Sequence, residues 1–475
     1  MTHSLPARIA AVNVGLTSFG AALRDQGAAV LDVEWRPPAK GDPDAVALLE
    51  RLWGRHGELV DRANAEVVAR IEAAQPLAVT VAPAGEAIDG LDGRMLLHCG
   101  PPIAWVRMCD PQRRALVAAC LFEGWAQDRT EAAALLDAGD VALASGNEHG
   151  HVGPMTGVCS PSMPVWVVED EGAGVRAFST LNEGPGNTLW FGVGDDESVE
   201  RLRFFRDVAR PLLAQLLERE GPVDVFALAA QGLQMGDELH MRSQAAGNLL
   251  LRELAGGFAA LGGRDAPPGA EEVARFVAGN HHFFLTLTMA AAKCASLAAE
   301  GVRGSTIVNL ISRNGTDVGI RVAGLPGQWF EAPAAPVQDA LLRDGFTDRD
   351  AGRDIGDSAV IECVGLGGMA LAASPAVAAF LGGGAAEAVA RTRLMGEICA
   401  ARSDRFTIPS LDFAGVPLGI DARLVVELGV TPQITTGVLH ASSGAGQIGA
   451  GVAHQPLAPF AGALAALAAD LDRPS

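Results

Sequence analysis

Residues 8–35 read RIAAVNVGLTSFGAALRDQGAAVLDVEW. An apolar run, Ile9–Val14, meets Gly15. Positions of helical period follow over about Thr17–Gln26, Gly27 closes them, and a second apolar run covers Ala29–Val33. This pattern predicts a Rossmann-like βαβ half-unit. Asp32 stands where a ribose-binding acid would, but the GxGxxG fingerprint is missing. A structural or subunit-docking role is therefore expected ahead of nucleotide binding. RPPAKGDPD (36–44) reads as a turn-rich linker with Asp42 or Asp44 as an N-cap, and charged helices run on to about Ala74.

From about 77 to 192 short apolar runs alternate with glycine–proline loops. VWVVED (165–170) and VRAFSTL (175–181) form a predicted hairpin, and ALVAACLFEGWA (115–126) a helix ending near Gly124. From about 195 to 300 the period becomes 3.6, and one predicted helix begins at MGDELHMR (235–242). STIVNLISRNGTDVGIRV (305–322) carries Asn-Gly between two strand-like runs, a hairpin cue. AVIECVGLGGMALAAS (359–374) reads as strand, glycine loop, helix. The expectation is an α+β, multidomain chain: 1–76 the βαβ segment with linker helices, 77–194 mixed α/β, 195–302 helical, and 303–475 α/β with Gly-rich loops.

Charge changes the picture next. The net charge of −20 and pI near 4.9 argue against nucleic acid or an anionic membrane surface as partner. They leave room for a small anionic substrate gripped by local arginines. The uncharged run Cys363 to Ala386 is interrupted by glycines and Pro375, which argues against a membrane span. Seven cysteines without a CxxC pair, and an N-terminus lacking a basic-then-apolar leader, read as reduced thiols in a cytoplasmic protein. Tyrosine is absent, so acid–base candidates reduce to His, Asp, Glu, Lys and Cys.

In a helical 235–242, Asp237 and His240 would pair at i, i+3 and Glu238 and Arg242 at i, i+4. That geometry suits a carboxylate-oriented histidine beside a guanidinium, and equally an exposed helix with ordinary ion pairs. Arg313 and Asn314 fall at the predicted hairpin tip, where turn chemistry accounts for Asn314. Gly365, Gly367 and Gly368 could converge backbone N–H groups on an anion, or serve close packing. Asp357 and Ser358 lie just upstream, and Glu362 in the expected strand is either solvent-facing or functional. Glu148, His149 and His151 lack a fourth ligand, and His281 and His282 fit a polar helix start, so no metal site is expected.

LLHCGPPIAW (96–105), ACLFEGWA (119–126), VGPMTGVCSPSMPV (152–165), LNEGPG (181–186), AQGLQMGDELHMR (230–242), RNGTDVGIR (313–321), GDSAVIECVGLGG (356–368) and TGVLHASSGAGQIGAG (436–451) together resemble the YlbE/AllG-like family, over about residues 77–470 in order. That is the family of the oxamate carbamoyltransferase component. The segment VNVGLTSFGAALRDQGAAVLDVEWRPPAKGD is similar to the tail of the FdrA-like partner subunit. The chain departs from the family pattern before VGPM, where Asn147-Glu148-His149-Gly150-His151 stands in place of a His-His-His-Asn run.

The resemblance implies carbamoyl transfer between an N-carbamoyl compound such as oxalurate and phosphate, with phosphate or carbamoyl phosphate as co-substrate and no confidently implied cofactor. It also implies a homo-oligomer or a complex with FdrA-like and other carbamoyltransferase subunits. A scaffold or ligand-binding subunit, or a phosphate-independent amidohydrolase, is the alternative. On that basis Arg242 and Arg313, with the Gly365–Gly368 backbone, are assigned to anions. His240 oriented by Asp237 is assigned to carbonyl polarisation or proton transfer. His440, Gln447 and the glycines around them would approach the substrate, and Asn182 and Glu183 would be secondary amide contacts.

Overall fold

A computed structural model describes residues 10–33, 35–262 and 267–473. The N-terminal pattern folds as a parallel pair, β1 (Ala10–Val14) and β2 (Ala29–Val33), joined by α1 (Thr17–Asp25); Ile9 lies outside the described residues. Asp32 is bonded by Asn13 Nδ2 at 2.7 Å and paired with Arg24, so it cross-links strand and helix. The linker ends as expected: the Asp42 carboxylate accepts from the N–H of Asp44 at 3.0 Å and of Ala45 at 3.1 Å.

Mixed α/β structure with several small sheets follows. Leu77–Pro83, Pro164–Asp170, Val175–Thr180 and Val223–Asp224 build one antiparallel sheet, in which the last three residues before Glu171 pair with the expected hairpin partner. Its inner face carries the helix Phe283–Ala298, whose residues from Phe283 to Ser296 are all buried. An apolar helix hydrophobic on every side belongs inside a protein. The same helix packs on Val360–Cys363, so the middle and last thirds of the chain meet across it.

The Asn-Gly hairpin forms between Val308–Asn314 and Asp317–Val322. Asn314 Oδ1 accepts from the N–H of Thr316 at 3.0 Å and of Asp317 at 2.7 Å, with Gly315 at φ 79°. Gln433–Leu439, Gln447–His454 and Val337–Leu342 make a second antiparallel sheet. Asp357 is buried just after Ile355–Gly356, the strand that pairs with Asn314 and Arg313. Its carboxylate accepts from the N–H of Gly100 (2.8 Å) and Gly153 (2.9 Å), from Asn147 Nδ2 (3.0 Å) and from Ser312 Oγ. Three segments far apart in sequence, at Gly100, 147–153 and Ser312, are thereby tied to one buried group.

Two expectations fail. Residues 359–364 are a helical turn, Val360–Cys363, followed by a 3₁₀ segment from Gly367, with no strand. The apolar run has no period-2 alternation, so pattern could not separate a buried turn from a strand. Residues 235–242 are not helical either. The preceding helix Val225–Gln234 stops before Gly236 (φ 104°), and the next begins at Gln244. The Glu238 carboxylate takes the N–H groups of Met241 and Arg242, and Asp237 takes that of Ala246, which replaces helical bonding with side-chain capture.

Candidate active site

The 235–243 loop presents His240 inward. Leu239 holds a left-handed φ of 73° while fully buried, just after the Asp237 and Glu238 carboxylates that tie down the loop. His240 is itself buried, and its Nδ1 lies 2.8 Å from Glu362 Oε1. The same oxygen accepts from the Gly368 N–H at 3.1 Å. An oxygen already accepting from an amide makes Nδ1 the donor, which fixes the tautomer with a free Nε2. Glu362 Oε2 is buried with no hydrogen-bond partner. The result is an imidazole oriented by a carboxylate, the arrangement used for general acid–base work.

His240 lines a small cavity of about 50 Å³ with Met155, Trp190, His282, Ser358, Thr436 and Gln447. One water takes ~10–15 Å³ of that measure, so the space accommodates a few waters or one small planar group. Met155, like Leu239, has positive φ (50°) without being glycine. Burial lowers the His282 ring to about 4, so it is neutral at pH 7, and its Nδ1 has no partner. A wider vestibule of about 550 Å³ adjoins the cavity, sharing Met241, His282 and Gln447 and adding Arg242 and Arg343. Two guanidinium groups at the mouth suit an anion on its way to the imidazole.

Of the residues singled out from sequence, His240 and Gln447 therefore share the cavity, and Arg242 stands at its entrance. Asp237 does not orient His240: it binds Arg242 Nε at 3.1 Å and the Ala246 N–H at 2.9 Å, so it aims the guanidinium. Arg313 is fully buried and bidentate to Asp354, at 2.8 and 3.0 Å, with a further bond to Gly356 O. Those bonds commit its guanidinium to the fold, and Asn314 is taken by its turn.

The glycine loop is no anion cradle. The Gly367 N–H donates to Glu238 O and the Gly368 N–H to Glu362. A Cβ on Gly367 would lie 2.3 Å from Glu362 Oε1, and one on Gly368 2.0 Å from Gln433 O, so both glycines admit close packing around the dyad. Gly365, at φ 88°, lies against Pro417 O. His440 caps its own surface turn, Nδ1 accepting from the N–H of Ser442 and Ser443, with Asp350 3.8 Å from Nε2. Glu183 accepts from the N–H of Leu189 (2.8 Å) and Trp190 (3.1 Å), and Asn182 Oδ1 from Gly184 N–H (3.0 Å) and Asn280 Nδ2 (3.0 Å); together they set the loop that carries Trp190.

Glu362 as the dyad's carboxylate, with Trp190, His282, Thr436 and Arg343, completes the site beyond what motif spacing assigned. Glu362 was legible only as a carboxylate in an apolar run, a signal of burial with a partner. Among the described residues no group of three or more His, Cys, Asp or Glu side chains could hold a metal ion. No helix among them is long and apolar enough to cross a membrane.

Comparison with known proteins agrees with the motifs. The family model described as "Oxamate carbamoyltransferase subunit AllG" matches residues 141–358. A protein of that name from Escherichia coli (strain K12) is 45% identical over 412 residues, covering 86% of this chain and 98% of that protein. The uncharacterized protein YahG of the same organism is 37% identical over 452 residues, 94% of this chain and 95% of YahG. A crystal structure of a conserved protein of unknown function from Enterococcus faecalis V583 superimposes with a TM-score of 0.83 at 39% identity, over 86% of this chain and 98% of that one. The chain belongs to the AllG family of oxamate carbamoyltransferase subunits.

Proposed function

We propose that this chain is a component of a carbamoyltransferase of ureide and purine nitrogen catabolism, moving a carbamoyl group between an N-carbamoyl compound such as oxalurate and phosphate. The observation that carries this reading is His240, oriented by Glu362, lining a small cavity with an arginine-flanked vestibule. A phosphate oxygen attacks the carbamoyl carbon, the bond from that carbon to the amide nitrogen breaks, and carbamoyl phosphate and oxamate result. The leaving nitrogen must receive a proton. His240 Nε2, unprotonated at rest, takes the proton of the attacking hydrogen phosphate and passes it to that nitrogen, while Glu362 stabilises the charged ring in between. Arg242, held by Asp237, and Arg343 receive the anionic ends of the reactants. Gln447 and Ser358 offer hydrogen bonds to the carbamoyl oxygen and NH₂ group.

No arginine or lysine lines the inner cavity itself. Phosphate on this reading approaches from the vestibule, where a second subunit of the enzyme would complete the site. We therefore place the chain in a complex with an FdrA-like subunit and further carbamoyltransferase chains. The test is turnover of oxalurate by the purified chain alone and after addition of those subunits, with phosphate varied. Carbamoyl phosphate production that requires both phosphate and the partner supports the proposal. Phosphate-independent ammonia release would make it an amidohydrolase.

A further inference from the structure

Among the described residues fifteen large hydrophobic side chains are exposed, and eight of them lie between Val12 and Trp35. So dense a cluster in one small unit is not ordinary surface composition. Its arrangement is specific. Asn13 and Asp32 point from the strands toward α1, where Gly20 lets the helix lie against them: a Cβ there would be 2.1 Å from Asp32 Oδ1. Strand alternation then sends Val12, Val14, Leu31 and Val33 to the opposite face. Val12 stands beside Leu31 and Val14 beside Val33 in the parallel register. This face is wholly apolar and uncovered, with Val12 and Leu31 each 64% exposed.

The helix carries a second such strip. Leu16, Phe19 and Leu23 are exposed at i, i+3 and i+7, about a quarter-turn round from Gly20 at 3.6 residues per turn. β1, α1 and β2 pack on one another, with no comparable contact to the remainder of the chain. At about 60–120 Å² of apolar area per such side chain, partly exposed, the seven residues present on the order of 400 Å². That is a substantial share of the ~800 Å² per partner of a stable interface.

Parallel strands occur in sheets covered on both faces. Among the described residues one face is bare, both sheet edges are open, and the helix flank that would meet a neighbouring helix is also bare. These are the surfaces of a slice taken from a larger doubly wound sheet. A second copy is a poor occupant. A two-fold dimer sets identical edges against each other antiparallel and covers one patch per subunit, whereas this unit shows apolar surface on two sides.

We infer that residues 10–33 dock into a different polypeptide, adding two parallel strands and a helix to the open edge of that partner's α/β sheet. The inference rests on and deepens the reading of the chain as one component of a multi-chain carbamoyltransferase, and takes the FdrA-like subunit of that reading as the partner. The N-terminal unit is thus a joint between this subunit and its partner, built from residues that line neither the His240 cavity nor its vestibule.

The experiment combines the full-length chain with the purified FdrA-like subunit and follows complex formation by sedimentation velocity and amide hydrogen exchange. Wild-type chain is expected to form a mixed species in which amides of residues 10–33 become protected. Leu31→Asp on the sheet face and Phe19→Asp on the helix flank are each expected to weaken association at least ~100-fold, since burying an unpaired carboxylate is costly. Circular dichroism and thermal unfolding of the same variants should match wild type, which shows the fold intact. Association unchanged in both variants, or protection confined to other segments, overturns the inference. So does a homodimer of the chain alone that Leu31→Asp dissociates. A docked complex that forms no carbamoyl phosphate from oxalurate and phosphate would sink the proposed chemistry and leave the joint standing.

Discussion

Replacing Glu362 by glutamine tests the chemistry most directly. Glu362 Oε1 receives both the His240 Nδ1–H at 2.8 Å and the Gly368 N–H at 3.1 Å, while Oε2 has no partner. Glutamine can place its carbonyl oxygen at the Oε1 position and its NH₂ group at Oε2, so both bonds survive and the tautomer is unchanged. Only the negative charge is lost. Charges about 4 Å apart interact by about 4 kcal/mol at an effective dielectric of 20. Part of that is offset by the carboxylate's own desolvation, which leaves about 3–4 kcal/mol of support for the protonated ring.

At 1.36 kcal/mol per tenfold, kcat should fall by ~10²–10³. KM should move little, because the charge matters only once the ring is protonated. The assay is carbamoyl phosphate formation from oxalurate and phosphate by the reconstituted enzyme, run for E362Q, H240A and the double variant. A dyad acting as one unit makes the three losses similar in size, not multiplicative. E362Q turning over within about threefold of wild type, or losses that multiply cleanly, would show that the carboxylate does not act through His240.

Three further outcomes follow from the buried charges and the cavity wall. Burial raises Glu183 and Glu238 to about 7 from an ordinary 4.5, so their contribution to stability is full below about pH 4.5 and is lost as pH rises through 7. At 1.36 kcal/mol per pKa unit, E183Q or E238Q should each remove on the order of 3 kcal/mol of that decline, read as a flatter urea midpoint between pH 4.5 and 8; an unchanged slope refutes it. R313A should destabilise the fold by about 3–5 kcal/mol in urea titration, because Asp354 is left buried and unpaired; a fully stable R313A with reduced turnover would return Arg313 to the substrate. A Cβ at Gly437 would lie 2.4 Å from Met155 Cε and 2.9 Å from Gln447 Nε2, both yielding side-chain ends, so G437V should fold normally yet bind carbamoyl phosphate at least ~10-fold more weakly by calorimetry.

The sequence made the βαβ unit, the 165–181 hairpin and the Asn-Gly hairpin legible because each is decided within about thirty residues, by alternation and turn chemistry. His240 was legible as a histidine among carboxylates, but its true partner lies 122 residues away. Local spacing favoured Asp237 because a helix would have brought the two together. The helix fails for a reason equally hidden in the sequence: Glu238 and Asp237 satisfy backbone N–H groups that a helix would have used. Arg313 misled in the opposite sense, since an arginine at a turn reads as exposed until Asp354, 41 residues on, is seen to take two of its three nitrogens.

The glycines resolve the same way. Gly367 and Gly368 looked like an anion loop because glycine before a helix frees backbone N–H groups. In the folded chain those groups already have acceptors, and the missing side chains make room for Glu362. Gly437 and the turn at 440–446 divide the C-terminal glycine-rich stretch between two purposes: the first keeps the cavity open, and the second lets His440 close a surface turn. Asp357 explains why the ordered motifs travel together. CGPP, the 147–153 loop, the Asn-Gly hairpin and the 356–368 segment each donate to, or contain, one buried carboxylate. Ser358, the next residue, lines the cavity, as does Pro154 beside Gly153. The polar junction that joins these segments therefore also sets the wall opposite His240, and a change in any of the four motifs acts on the site through that junction.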